Sequence, residues 1–350
     1  MDLSGISVVI TTRDRLHYLV EAVGSALSQA LPPAEIVVVD DGVSRLAAEA
    51  LQAIQILLRY GYSHNARESP VQASSSTLKG FLHYGGRHHN AGNPLRGAAG
   101  RTQPIVRVLP GPCRGPAAAR NAGIEAAQGD LIAFLDDDDL WHPGKLAEQS
   151  QWLAGRPDLG VLGTECLRTS CASPRGFPAF GRSGPPCVVS RAALLRANRL
   201  ILSSVMAKRR CLEQCGGFDE SLPLAQDWDL WLRAGERWQI GVLPAKLTVH
   251  RLHAGQRSQD QPAMRAWEAE VIRRAMGRNG GQSGLRAVAR RRLAWAHCRL
   301  GRLHMRRGRI ESAVPELKQA LSLSPFHPVV WGSLARCALA GRDPAREPRG

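Results

Sequence analysis

The chain has 350 residues, 44% of them hydrophobic and 22% charged, and a formal net charge of +16. That length allows two or three domains and a sizeable core, and the balance excludes a fibrous or wholly disordered chain. No apolar run approaches the ~18 residues of a membrane span, and the N-terminus passes from Asp2 straight into ISVVI without the pattern of a secretory signal, so a cytoplasmic location is expected.

Ile6 to Ile10 reads as a short strand, followed by the polar turn Thr11, Thr12, Arg13. Asp14 is placed to cap a helix whose apolar positions Leu16, Leu19, Val20, Val23 and Leu27 recur at helical spacing, and Pro32 and Pro33 end it. Ile36 to Val39 is a second strand ending in Asp40, Asp41 and Gly42. Strand, helix and strand at these lengths predict a βαβ unit with parallel strands, in which ligands bind beyond the carboxyl ends of the strands. After a helical piece around Ala47 to Arg59 the periodicity fails, and 61–103 is expected to be an irregular or disordered insertion. Ile105 to Leu109 is again a strand, and Ala117 to Ala127 is a helix of small residues carrying Arg120 and Asn121 near its start, where an arginine can meet phosphate or ribose.

The stretch GDLIAFLDDDDLWHPGKL, from Gly129 to Leu146, then joins a continuous apolar run to four consecutive carboxylates, Asp136 to Asp139. An uninterrupted apolar strand is buried on both faces. Four like charges at its end repel one another unless a shared cation offsets the repulsion. Oxygen ligands suit Mg²⁺ or Mn²⁺; the bland alternative is a solvated acidic turn that caps the next helix. Further on, Asp227 and Asp229 begin a helix whose Trp228, Leu230, Trp231 and Leu232 are core-like. The eight cysteines contain no CxxC pair and read as reduced packing residues.

Six strings in one order closely resemble the family 2 glycosyltransferases of the GT-A fold: ISVVITTRDR, VVVDDG, GPAAARNAG, FLDDDDLW, GGFDESL and QDWDLWLR. The resemblance implies an α/β fold with a Rossmann-like mixed, mainly parallel sheet flanked by helices. It implies that Thr11, Arg13, Asp41 and Arg120 line a nucleotide-sugar pocket. Asp136, Asp137 and Asp138 match the family's Asp-X-Asp signature, with Asp138 and Asp136 on a divalent metal and both Asp136 and Asp137 toward the sugar nucleotide; the register within the run stays open, with Asp139 as the spare. Asp227 corresponds to the catalytic aspartate, the base for the acceptor hydroxyl, and Asp229 caps or braces its helix. Gln226 stands where the family often has Glu. TVHRLHAGQRS resembles the closing motif, in which a histidine approaches the diphosphate; His253 is favoured over His250.

From about Gln282 the pattern turns helical, and LGRLHMRRGRIESAVPELKQALSLSP resembles one tetratricopeptide repeat, with Trp331 and Leu334 falling 34 residues after His297 and Leu300. The expected domains are 1–265 for the transferase, 266–341 for a small all-α region and 342–350 for a disordered tail. Twelve arginines and no acidic residue lie between Arg273 and Arg309. Such a run suits anionic lipid headgroups, peripherally at the inner membrane face, and nucleic acid is not the expected partner; the alternative is a solvated helical face. The expected activity is inverting, metal-dependent transfer from a nucleotide-diphosphate sugar to a sugar, lipid-linked or protein acceptor in cell-surface polysaccharide or glycoconjugate synthesis. A degenerate transferase acting as an interaction module and a sugar nucleotidyltransferase are the alternatives.

Overall fold

The computed structural model describes residues 5–42, 52, 54–55, 103–170, 184–253, 256, 260–278, 283–326 and 328–340. The expected insertion at 61–103 and the expected disordered tail lie outside these residues, except for Gln103.

The chain divides into two compact units: residues 1–188, 200–220 and 238–253 form the first, and 189–199, 221–237 and 254–350 the second. In the first unit the elements run β1 (Ile6–Thr12), α1 (Leu16–Leu27), β2 (Glu35–Asp40), β3 (Ile105–Pro110), α2 (Pro116–Ala126), β4 (Leu131–Asp136), β5 (Leu140–Trp141), α3 (Lys145–Ala154), β6 (Leu159–Thr169), β7 (Cys187–Val188), β8 (Met206–Lys208), α5 (Arg209–Cys215) and β9 (Gln239–Arg251). The second unit holds α4 (Arg191–Arg196), α6 (Gln226–Ala234), α7 (Gln261–Arg278), α8 (Ser283–Arg306), α9 (Ile310–Leu323) and α10 (Pro328–Ala340).

Among the described residues, one mixed sheet of nine strands carries the first unit, in the order β3-β2-β1-β4-β8-β6-β9-β5, with β7 on β9. The β1–β2, β1–β4, β2–β3 and β6–β9 pairings are parallel, whereas β8 runs antiparallel between β4 and β6. The continuous apolar runs of β1, β2 and β4 are buried throughout, as strands covered on both faces must be. Alternation divides them. Val8, Ile10, Ile36, Val38, Ala133 and Leu135 pack with Leu19, Val23 and Ala26 of α1. On the other side α2 lies so close that a Cβ on Gly123 would come within 2.4 Å of Val9 Cγ1.

Two local expectations change. β1 continues through Thr12, so the turn starts two residues later than its polar composition predicts, because Thr11 and Thr12 still pair with Val39 and Asp40. Asp14 does not cap α1: it adopts a left-handed backbone at φ 55°, and Arg15 stands at the N-cap without a side-chain capping bond.

In the second unit α6 is anchored by Trp228, whose Nε1 donates to the Leu194 carbonyl at 2.8 Å and whose ring lies under the Arg292 guanidinium. α8 and α9 meet at Gly301, where a Cβ would come within 2.8 Å of Leu317, and share a core of Cys298, Ala313, Leu317, Ala320, Val330 and Cys337.

Candidate functional site

Parallel register brings the carboxyl ends of β2, β1 and β4 side by side: Thr11 lies opposite Asp136 and Val39, and Thr12 opposite Asp40. The chain leaves all three strands at this edge, so Thr11, Asp41 and the acidic run converge although up to 128 residues separate them. Thr11 is half-buried at the tip and Arg13 is exposed on the loop beyond it.

Asp41 is buried beneath the turn at Gly111, where a Cβ would stand 2.8 Å from the Asp41 Cα. Its Oδ2 accepts from the Gly115 N–H at 3.0 Å, while Oδ1 is buried and makes no hydrogen bond among the described residues. Arg120, on α2, donates to Asp136 Oδ1 at 2.8 Å and its guanidinium lies over the Phe218 ring. Asn121 beside it clasps the Phe218 backbone in both directions, which ties the GGFDESL segment to α2.

The four aspartates have four different environments. Asp136 is the most open; its N–H donates to Ser203 Oγ at 3.0 Å. Asp137 is fully buried, where its carboxylate accepts from Thr12 Oγ1 at 2.6 Å and pairs with Arg15 Nη2 at 2.6 Å. Burial pushes this carboxyl up to about 7, against the pull of Arg15 and the Thr12 hydroxyl. Asp138 contacts Arg15 Nη1 and His253 Nε2, both at 2.9 Å. Burial works against its ionisation, but these partners outweigh it and hold the carboxyl below its ordinary value. Asp139 is buried against His250 Nδ1 at 3.1 Å and the Arg251 N–H at 3.1 Å. Burial alone would lower the His250 imidazole; the facing carboxylates raise it above its ordinary value.

Ligand oxygens of Asp136, Asp138 and Asp139 lie within 4.8 Å of one another. All-oxygen donors at that spacing fit a hard divalent cation. Each of the three already has a partner, Arg120 on Asp136, Arg15 and His253 on Asp138, and His250 on Asp139, and of the three only Asp136 is not buried. Asp137 is turned inward by Thr12 and Arg15.

His250 and His253 are both in the cluster, on neighbouring aspartates. The His253 ring stacks on Tyr18 at 5.1 Å between centroids. Between the histidines, the buried Arg251 donates to the Asp138 carbonyl, pairs with Glu21 of α1 and lies over the Tyr18 ring. The sequence reading missed Thr12, Arg15, Tyr18, Glu21, Ser203 and Arg251 as builders of the cluster. Thr12, Arg15 and Arg251 lie inside strings already singled out, but nothing in their spacing says which carboxylate each meets.

Asp227 belongs to the second unit. It stands in the first turn of α6, and Asn198 Nδ2 donates to its Oδ2 at 2.8 Å. Asp229 braces the same helix through Arg233 at 2.7 Å and Arg278 at 3.2 Å. Gln226 is buried and donates to the Pro223 carbonyl at 3.0 Å, a bond that an ionised glutamate could not make.

Comparison with known proteins bears on this cluster. Residues 7–81 and 93–164 match the profile of the family described as Glycosyl transferase family 2. The O-antigen biosynthesis protein RfbC of Myxococcus xanthus is 33% identical over 143 residues, which is 41% of this chain and 11% of that protein. The chain thus spans about a tenth of RfbC. S. aureus TarS 1–349, in a crystal structure with UDP-GlcNAc, superposes with a TM-score of 0.57 at 17% identity over 96% of this chain and 88% of that one. The mannosyltransferase PcManGT from Pyrobaculum calidifontis, in complex with GDP-Man and Mn²⁺, gives 0.55 at 16% over 98% and 82%. The similarity to the glycosyltransferase family 2 profile thus lies in the N-terminal part of the chain and covers less than half of it, and the fold is of the GT-A kind.

Proposed function

We propose that this chain carries a family 2 glycosyltransferase domain that moves a sugar from a nucleotide-diphosphate sugar to an acceptor hydroxyl, with inversion and with a divalent cation, in the synthesis of a cell-surface polysaccharide or glycoconjugate. The observation that carries the reading is the set of carboxylate oxygens on Asp136, Asp138 and Asp139, gathered at the same sheet edge as Asp41 and Thr11. Asp136 and Asp138 would hold the metal. Bound there, Mg²⁺ or Mn²⁺ supplies positive charge to a departing diphosphate.

The other residues act around that centre. The buried Asp41 Oδ1 is an acceptor ready for an N–H of the base. Thr11, Arg13 and Arg120 complete the nucleotide side, His253 meets the diphosphate, and Asp137, buried and turned inward, serves the sugar-nucleotide site only indirectly, through the Arg15 that it shares with Asp138. We assign Asp227 to draw the proton from the acceptor hydroxyl, and a single displacement at the anomeric centre inverts it. The Asn198 bond would keep one Asp227 oxygen oriented. TarS 1–349 with UDP-GlcNAc and PcManGT with GDP-Man and Mn²⁺ are consistent with such a donor.

The 1–265 transferase and 266–341 helical boundaries remain our division by activity. We read α8 to α10 as tetratricopeptide-like, supported by the close crossing at Gly301 and by the packing of Leu334 on the core that Cys298 and Leu317 share. No described helix is long and apolar enough to cross a membrane. We place the protein in the cytoplasm, with peripheral contact to an anionic membrane and a sugar, lipid-linked or protein acceptor.

Slow donor hydrolysis across a panel of nucleotide sugars, followed by transfer assays on the preferred donor, tests this. Asp227→Asn should abolish transfer while calorimetric donor binding survives; undiminished turnover would remove Asp227 as base. Asp138→Ala should lose the Mn²⁺-dependent part of donor binding; equal binding with and without Mn²⁺ in the unaltered protein would refute metal dependence.

A further inference from the structure

Between Glu270 and Glu311 the chain has twelve arginines and no acidic residue, but the structure divides these arginines into two kinds. Arg273 and Arg274 pair with Glu270, Arg278 with Asp229 and Glu236, and Arg292 with Glu268, while Arg290 donates to the carbonyls at the end of α9. The rest form no ion pair among the described residues. Four of them, Arg291, Arg299, Arg302 and Arg306, sit on α8 at spacings of eight, three and four residues, with Trp295 midway between the first two. At 3.6 residues per turn these positions share one side of the helix.

The opposite side of α8 is occupied. Ala289, Leu293, Ala296, Leu300 and Gly301 are buried, and His297 pairs with Glu316 of α9 at 2.7 Å. The outer side is therefore an unbroken row of cations about 22 Å long, with an indole that is 38% exposed within it. Ordinary solvated helices intersperse opposite charges at i+3 and i+4, as α7 does through Glu268 and Glu270. This face has none.

We propose that the outer face of α8, formed by Arg291, Trp295, Arg299, Arg302 and Arg306, docks on an anionic lipid bilayer. Guanidinium groups at this density complement phosphate headgroups, and an indole is at home at the boundary between headgroup and acyl chain. A bilayer accepts a straight, outward-facing row, whereas single-stranded nucleic acid is usually held in a basic groove with several aromatic platforms. The inference names the surface behind the membrane contact proposed above and is independent of the donor site.

Co-sedimentation of the full chain with phosphatidylcholine vesicles containing phosphatidylglycerol, against pure phosphatidylcholine, reads the contact directly. Each basic side chain at such a surface strengthens partitioning roughly fivefold, so R291Q/R299Q/R302Q/R306Q should weaken it by a hundredfold or more. Donor hydrolysis should persist in that variant, which separates this outcome from failure of the transferase reading. A blue shift of tryptophan emission on adding anionic vesicles, absent in Trp295→Phe, is the second expected result and does not depend on the quadruple variant folding. Equal sedimentation of variant and parent, no Trp295-dependent shift, or loss of binding to a short single-stranded RNA with vesicle binding intact would each overturn the proposal.

Discussion

Lys145 offers a test of the interior beneath the acidic turn. It begins α3 and is fully buried, with Nζ donating to Gln149 Oε1 at 2.7 Å and lying 4.1 Å from the centre of the Trp141 ring. Gln149 in turn donates to the Leu162 and Ser204 carbonyls, so the lysine holds one corner of a buried polar network. Burial lowers its pKa from the ordinary 10.5 to about 7. The unfolded chain then binds more protons than the folded one between those values, and folding stability must rise with pH across that window. Integrating the linkage from about pH 7 to about pH 9 gives roughly 2 kcal/mol of added stability from this one group. Lys145→Met keeps the length and apolar body but has no proton to lose. Urea unfolding of both proteins at the two pH values should show a difference in pH dependence of that size, largest in the parent protein. The absolute stability of the variant at neutral pH is a poorer readout, because relief of the buried charge is offset by an unsatisfied Gln149 oxygen worth about 1–3 kcal/mol. Identical pH dependence in the two proteins would mean that Lys145 keeps its ordinary affinity for protons, and the reasoning from burial would fail.

Three further outcomes follow from the same geometry. Thr12→Val removes the hydroxyl that donates to the buried Asp137 at 2.6 Å, and should cost roughly 1.5–3 kcal/mol in denaturant unfolding, with Thr12→Ser close to the parent; equal losses in Val and Ser would point to packing instead. Gly123→Ala drives a methyl into Val9 and should destabilise by about 1–3 kcal/mol, whereas Gly277→Ala, where a Cβ meets nothing, should be neutral or slightly stabilising. Arg15→Gln strips the guanidinium shared by Asp137 and Asp138; it should weaken Mn²⁺-dependent donor binding more than Arg15→Lys does, and unchanged binding in both variants would remove Arg15 from the support of the site.

Much of the first unit was legible before any coordinates. Strands buried on both faces must be continuously apolar, so β1, β2 and β4 declare themselves, and their lengths together with the helices between them require parallel pairing. The acidic run at the end of β4 was equally plain, since four adjacent like charges repel one another unless partners offset them. The core-like face of α6 and the helical character after residue 282 follow from period alone.

The individual fates of those carboxylates were not legible. Asp137 turns inward because Thr12 and Arg15 meet it across more than 120 residues, and Asp139 is consumed by His250 and the Arg251 backbone from β9. Chain neighbours share a composition but point in opposite directions, and only the partners on other strands decide which oxygen faces solvent. The same holds for the arginines: a sequence counts twelve positive charges, but only packing tells which four find a carboxylate and which line the open side of α8. Composition and period are local properties that one chain carries by itself. Pairing between distant residues exists only once strand order, and so the whole sheet, is set.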